Sequence, residues 1–99
     1  MSDKEKSVWS VVKFKIKEEH IKEFLKIHIP KFPNNSFRSG RLLYVRDAVF
    51  VNIIEYENMF ALLDQQDASW KWFNSIEHLL EWKGEKRTEA FSGTEVYKY

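Results

Sequence analysis

Histidine is the side chain best placed to move protons near neutral pH, and the chain has three. His28 stands in the most telling position. It follows Ile21, Phe24 and Leu25 at the i, i+3, i+4, i+7 spacing of one helix face. An imidazole on that face points at a sheet and could serve as a general base or orient a ligand. The plainer alternative is a core histidine bonded to a backbone carbonyl. His78 lies across its helix from Phe73, Ile76 and Leu80, and His20 sits beside two glutamates on a helix flank, so both read as surface residues. No histidine shares a helix face with a carboxylate pair at ligand spacing, so no metal site is expected.

Asn52 is the second candidate. It interrupts Val49–Tyr56, VFVNIIEY, the most strand-like run in the chain. Alternation puts it on one face with Phe50, Ile54 and Tyr56, and puts Glu55 on the other with Val51 and Ile53. A buried amide must find a hydrogen-bond partner or cost about 1–3 kcal/mol. The partner is a neighbouring side chain, a second subunit or a ligand. Glu55 could be an interfacial salt-bridge partner for Arg41 or Arg46 of a dimer. Tyr44, Trp72 and Phe73 complete the candidate ligand-binding set. Trp72 and Phe73 face the core, while Trp70 and Trp82 flank that stripe. An apolar pocket between helices and sheet would suit a small aromatic molecule, the alternative being that these rings fill the core and a dimer interface. There is no glycine-rich phosphate loop, nucleophile elbow or CxxC pair, and no cofactor is expected. Cofactor-free oxygenation remains open, since it needs little beyond a dry pocket and a base.

The elements that must position these residues can be read in order. Val8–Lys17 alternates as a first strand, with Val8, Ser10, Val12, Phe14 and Ile16 on one face. Glu18–Ile29 is a helix, ended by Pro30. Residues 30–40 are rich in turn formers yet carry Phe32 and Phe37. Arg41–Arg46 is a second strand joined by the tight Asp47-Ala48 connection to the third, Val49–Tyr56. Asn58 caps a second helix, which is expected to break near Asp67-Ala68-Ser69 and resume with Trp72, Phe73, Ile76, Leu79 and Leu80 on one face. Lys83–Gly93 reads as a polar loop and Thr94–Tyr99 as a short last strand. The order β-α-β-β-α-β defines an α+β, ferredoxin-like fold: one domain over residues 1–99, a four-stranded antiparallel sheet with both helices on one face. The third strand is apolar on both sides, so two sheets packed face to face in a homodimer are expected.

Composition excludes several classes. The 99 residues suit one domain, and 43% apolar with 16% aromatic content supplies its core. The formal charge of +1, from 16 basic and 15 acidic residues interspersed, gives no basic stripe for a phosphate backbone, so no nucleic acid is expected. No run has the length of a membrane span. The opening MSDKEKS lacks the apolar core of a signal peptide and there is no cysteine, so the expected location is cytoplasmic.

Three segments together resemble the dimeric α/β-barrel superfamily. They are VVKFKIKEEHIKEFLKI, a strand running into an amphipathic helix; Gly40 leading into LLYVR; and FVNIIEYENMFALLDQQ followed by SWKWFNSIEHLLE. That superfamily includes antibiotic-biosynthesis monooxygenase-like proteins, haem-degrading monooxygenases and stress-responsive barrel proteins. The resemblance implies a homodimeric barrel and a small cofactor-independent monooxygenase-like enzyme acting on a small aromatic or quinol-type compound. His28 would be the base, with Asn52 and Tyr44 orienting the substrate. A non-catalytic small-molecule binder or stress-associated protein on the same scaffold is the alternative. Haem binding is a weaker one: family haem degraders carry an Asn on the first strand, where this chain offers only Ser10, and a Trp and His near the second helix, where Trp70 or Trp72 and His78 could align.

Overall fold

The computed structural model describes residues 6–27, 37–82 and 84–99. His28, the Pro30 helix stop and the loop as far as residue 36 lie outside them. The described chain forms β1 (Val8–Lys15), a 3₁₀ turn (Glu18–His20) leading into α1 (Ile21–Ile27), β2 (Phe37–Arg46) and β3 (Val49–Tyr56). Then come α2 (Met59–Ser75), a second 3₁₀ turn (Glu77–Leu79) and β4 (Thr88–Thr94). The strands lie in the order β2-β3-β1-β4 with every neighbouring pair antiparallel. This is the α+β, ferredoxin-like arrangement.

Alternation along the strands divides the sheet. On β3, Phe50, Asn52, Ile54 and Tyr56 are buried, while Val49, Val51, Ile53 and Glu55 on the opposite, open face are half-buried. The core sits on the first face. Phe14 is its centre, stacked on Phe50 at 6.0 Å and edge-on to Phe24 of α1 at 5.8 Å and Phe73 of α2 at 5.2 Å. Trp72, Ile76, Leu79 and Leu80 close the same cluster. Ring pairs of this kind contribute about 0.5–1.5 kcal/mol each beyond the area they bury. Both helices therefore pack on one face, and the open face carries no helix among the described residues.

The β2–β3 connection is the two-residue turn that the sequence indicates. Asp47 and Ala48 both take positive φ, 53° and 65°. That pair of values suits the twist of a hairpin. Asn58 caps α2, its side chain accepting the Ala61 N–H at 2.9 Å.

Several boundaries differ from the sequence reading. β1 stops at Lys15 short of Lys17, the first helix opens with a 3₁₀ turn, and α2 ends at Ser75 with Glu77–Leu79 a separate 3₁₀ turn. Three further differences bear on the site. First, β2 begins at Phe37 instead of Arg41, with a register irregularity between Phe37 and Ser39. Second, α2 does not break at Asp67-Ala68-Ser69. Leu62, Gln65, Ser69, Trp72, Phe73 and Ile76 keep a continuous stripe at helical spacing, and Asp67 meets Lys71 at 3.2 Å one turn on. Neither Gly nor Pro is present to end the helix there. Third, the last strand is Thr88–Thr94 and not Thr94–Tyr99. The chain after α2 returns to the end of β1, where Ile16 pairs with Leu80 and Glu81 N–H donates to the Lys15 carbonyl at 2.7 Å. It then resumes beside β1 at Phe14–Thr88 and runs to Val8–Thr94. Pairing with β1, not strand propensity, decides where β4 lies. Among the described residues no helix is long and apolar enough to cross a membrane.

Candidate functional site

The helix-facing side of the sheet is unevenly filled. Towards one end Phe14 and Phe50 meet α1 and the C-terminal half of α2. Towards the other end the residues are small. Val12 is paired with Ala90, and Ser10 with Ser92. The N-terminal half of α2 crosses over these short side chains and leaves a cavity of about 680 Å³. Its floor is Ser10 and Val12 of β1 with Asn52, Ile54 and Tyr56 of β3. Leu62, Leu63, Ser69 and Phe73 of α2 form the roof, and Thr88, Ala90 and Ser92 of β4 the side. Trp70 and Phe91 also line it and are largely exposed, at 62% and 69% of their surface. The volume lies within the range of small-molecule sites.

Asn52 is the polar group of note on the floor. It is 6% exposed, and its amide makes no hydrogen bond with the described residues. Tyr56 beside it is buried, which pushes its hydroxyl above the ordinary value, against a smaller opposing effect from a hydrogen bond with Ser69. It therefore stays neutral through the physiological range. The one residue of this lining that ordinarily carries a charge is Asp67, exposed and held at 3.2 Å from Lys71. Behind Trp70, the Arg87 guanidinium lies 4.3 Å from the ring centroid and donates to Asn74 Oδ1 at 2.6 Å. That cation–π contact fixes one aromatic wall.

The residues singled out in the sequence fall in different places. Asn52 and Phe73 line the cavity. Trp72 is buried in the aromatic core, 4.8 Å from Phe73 and 6.2 Å from Phe24. Tyr44 is 55% exposed, its ring edge-on to Phe50 at 5.1 Å and its hydroxyl accepting the Ala48 N–H at 3.2 Å. Neither Tyr44 nor Trp72 lines the cavity. His28 lies outside the described residues. His20 and His78 both approach Glu23 on the surface, Nδ1 at 3.5 Å and Nε2 at 3.9 Å respectively. No three His, Asp or Glu side chains gather around a metal-sized space among the described residues.

The expected pair of Glu55 with Arg41 or Arg46 would span the interface of two subunits; within one subunit Glu55 has other partners. It accepts hydrogen bonds from Ser7 and, at 2.9 Å, from Ser39, while Arg41 turns to the Gly40 carbonyl at 2.8 Å. The Ser7 hydroxyl is the largest influence holding the Glu55 carboxyl below its usual range, and Ser39, Arg38 and Lys98 act in the same direction against the effect of burial. Register explains the difference. Ser39 sits directly opposite Glu55 on the open face, whereas Arg41 stands opposite Ile53.

No protein-family model matches the chain, and no curated protein matches it. Solved structures do. A dimeric ferredoxin-like protein from an uncultured marine organism shares 11% identity over 99% of this chain and 95% of its own, with a TM-score of 0.72. A protein from Nitrosomonas europaea described as a "putative antibiotic biosynthesis monooxygenase" shares 11% over 92% of this chain and 91% of its own, with a TM-score of 0.70. A protein of unknown function from Bacteroides thetaiotaomicron, described as a "possible oxidoreductase", shares 12% over 91% and 98%, with a TM-score of 0.62. At these identities the likeness establishes the ferredoxin-like fold and nothing finer.

Proposed function

We propose that this protein is a cofactor-independent monooxygenase-like enzyme that acts, as a homodimer, on a small aromatic or quinol-type compound held between α2 and the sheet. Asn52 carries the proposal. An amide 6% exposed, without a hydrogen bond among the described residues, facing a cavity of about 680 Å³, is what a ligand-orienting group looks like before its ligand arrives. Phe73 supplies an apolar wall beside it. The description of a neighbour of the same fold as a monooxygenase candidate agrees with this reading.

A quinol-type substrate brings its own electrons. A base removes a proton, and the resulting anion is oxidised by dioxygen. The substrate then gains one oxygen atom and gives up two hydrogens, which leave with the second oxygen as water. His28 is assigned as the base from its spacing behind Ile21, Phe24 and Leu25. Oxygen uptake with 1,4-naphthohydroquinone tests the assignment. The expected rate exceeds autoxidation and falls to background in His28→Ala. A second reading, a binder without turnover, is favoured by one observation: among the described lining residues the only ionisable side chains are Asp67 and Tyr56. Saturable binding with no uptake above background would establish it instead.

The homodimer rests on the open sheet face. Register places Arg41, Ile53, Val11 and Phe91 in one row across all four strands, with Leu43 and Val51 in the next. The second row continues through Lys13 and Glu89, and two such faces packed together would bury Val11, Leu43, Val51, Ile53 and Phe91 with these charges among them. Sedimentation velocity should give a dimer, and Ile53→Glu should give a monomer. A monomeric wild type would refute the packing.

A further inference from the structure

The cavity mixes polar and apolar lining, and the sign of its charge is the informative part. Asn52 offers both a donor and an acceptor, and Ser10 and Ser92 add hydroxyls on the paired strands. No Lys, Arg or His is among the described lining residues. The one residue of the described lining that ordinarily carries a charge is Asp67. Two cations beside lining residues are held by other groups: Lys71 by Asp67 at 3.2 Å, and Arg87 behind the Trp70 ring by Asn74 and Glu77, with its second guanidinium nitrogen buried and unbonded among the described residues. A carboxylate brought to the floor would lose its hydration, meet no cation among the described lining residues, and pass the Asp67 carboxylate on its way in. A carbonyl or hydroxyl would meet complementary neutral groups at no such cost. Trp70 and Phe73 offer flat, apolar surface to the body of the ligand.

We infer that the cavity selects uncharged planar aromatic ligands bearing a carbonyl or hydroxyl group, which points at Asn52, and discriminates against their carboxylate counterparts. This inference rests on the cavity being the ligand site, as proposed above, and names the class of ligand that it takes.

Two probes of nearly equal shape isolate the charge: 2-naphthamide and 2-naphthoate. Each is titrated into ¹⁵N-labelled protein at pH 7, with the Asn52 side-chain NH₂ resonances assigned. The amide should bind at least about tenfold more tightly than the acid, the lower end of what an uncompensated charge costs, and should shift the Asn52 NH₂ signals. Ala90→Lys introduces a cation at an exposed position of the lining and should reverse the preference. Equal or tighter binding of naphthoate to the wild type at Asn52 would overturn the charge selection and leave the ligand site standing. Binding of either probe with Asn52 unmoved would overturn the orientation. If neither probe binds at millimolar concentration, the cavity is not an aromatic ligand site and both readings fall together.

Discussion

Replacing Asn52 by leucine should make the protein more stable and less functional at once. The two side chains share branching and heavy-atom count, and the cavity beside Asn52 takes up the extra volume of the leucine methyls, so Asn52→Leu exchanges an amide for apolar atoms without crowding the core. In the native protein that amide is 6% exposed and lacks a hydrogen bond among the described residues. Fully sealed, such a group costs about 1–3 kcal/mol; the Asn52 amide keeps contact with the open cavity. Because Asn52 borders a cavity and is not sealed in the core, the lower end is expected, near 1 kcal/mol. For a domain of this size that corresponds to a rise in Tm of roughly 4–8 °C. Urea unfolding of wild type and variant, followed by tryptophan fluorescence, would measure the difference at equal m-value. The same variant should lose naphthamide binding. Asn52→Asp is the control: it puts a carboxylate among neutral groups and should lower stability. If Asn52→Leu instead loses 1 kcal/mol or more, the amide is a structural group with a native partner, and its role as a waiting ligand contact fails.

Other consequences can be tested separately. Phe24 is fully buried between Phe14, Phe50 and Trp72, so Phe24→Ala should cost about 3–5 kcal/mol and read out as a large fall in the denaturation midpoint. Asn58→Ala removes the cap on α2 at Ala61 N–H and should cost about 1 kcal/mol, measured the same way. Glu55 has its carboxyl held below the usual range, chiefly by Ser7. The stability it contributes is therefore complete above the unfolded carboxylate value, 4.5, and is lost as the pH falls through the lower folded value. Ser7→Ala should lower stability at neutral pH and so shrink that acid loss, with the slope of the neutral-to-alkaline limb unchanged, which stability measured from pH 2 to 8 would show.

Much of this was legible because local chemistry and tertiary packing agree. The β3 run, the Asp47-Ala48 turn, the Asn58 cap and the Trp72–Leu80 stripe each carry their own signal in type and spacing, and each stands where that signal puts it. Asn52 was legible as the odd amide in a buried strand. The last strand was not. TEVYKY has the aromatic and β-branched residues that favour strands, whereas TEAFSGT is polar and glycine-containing. Yet β1 can pair only with what the chain brings beside it, and the Ile16–Leu80 bridge sets that register. The β4 wall of the cavity was lost with it, since Thr88, Ala90 and Ser92 face α2 only in the observed register. Trp70 and Asp67 were missed as lining residues for a related reason. A helix broken at Asp67 would not carry them across the small residues of β1 and β4.

Whether an aromatic ligand sits on Asn52 beneath α2 is tested most directly by intermolecular NOEs from the ring protons of bound 2-naphthamide in methyl-labelled protein. Contacts are expected to the methyls of Val12, Ile54 and Leu62, all on the cavity lining. NOEs to Val11, Val51 and Ile53 instead would place the ligand on the open face of the sheet and contradict the site.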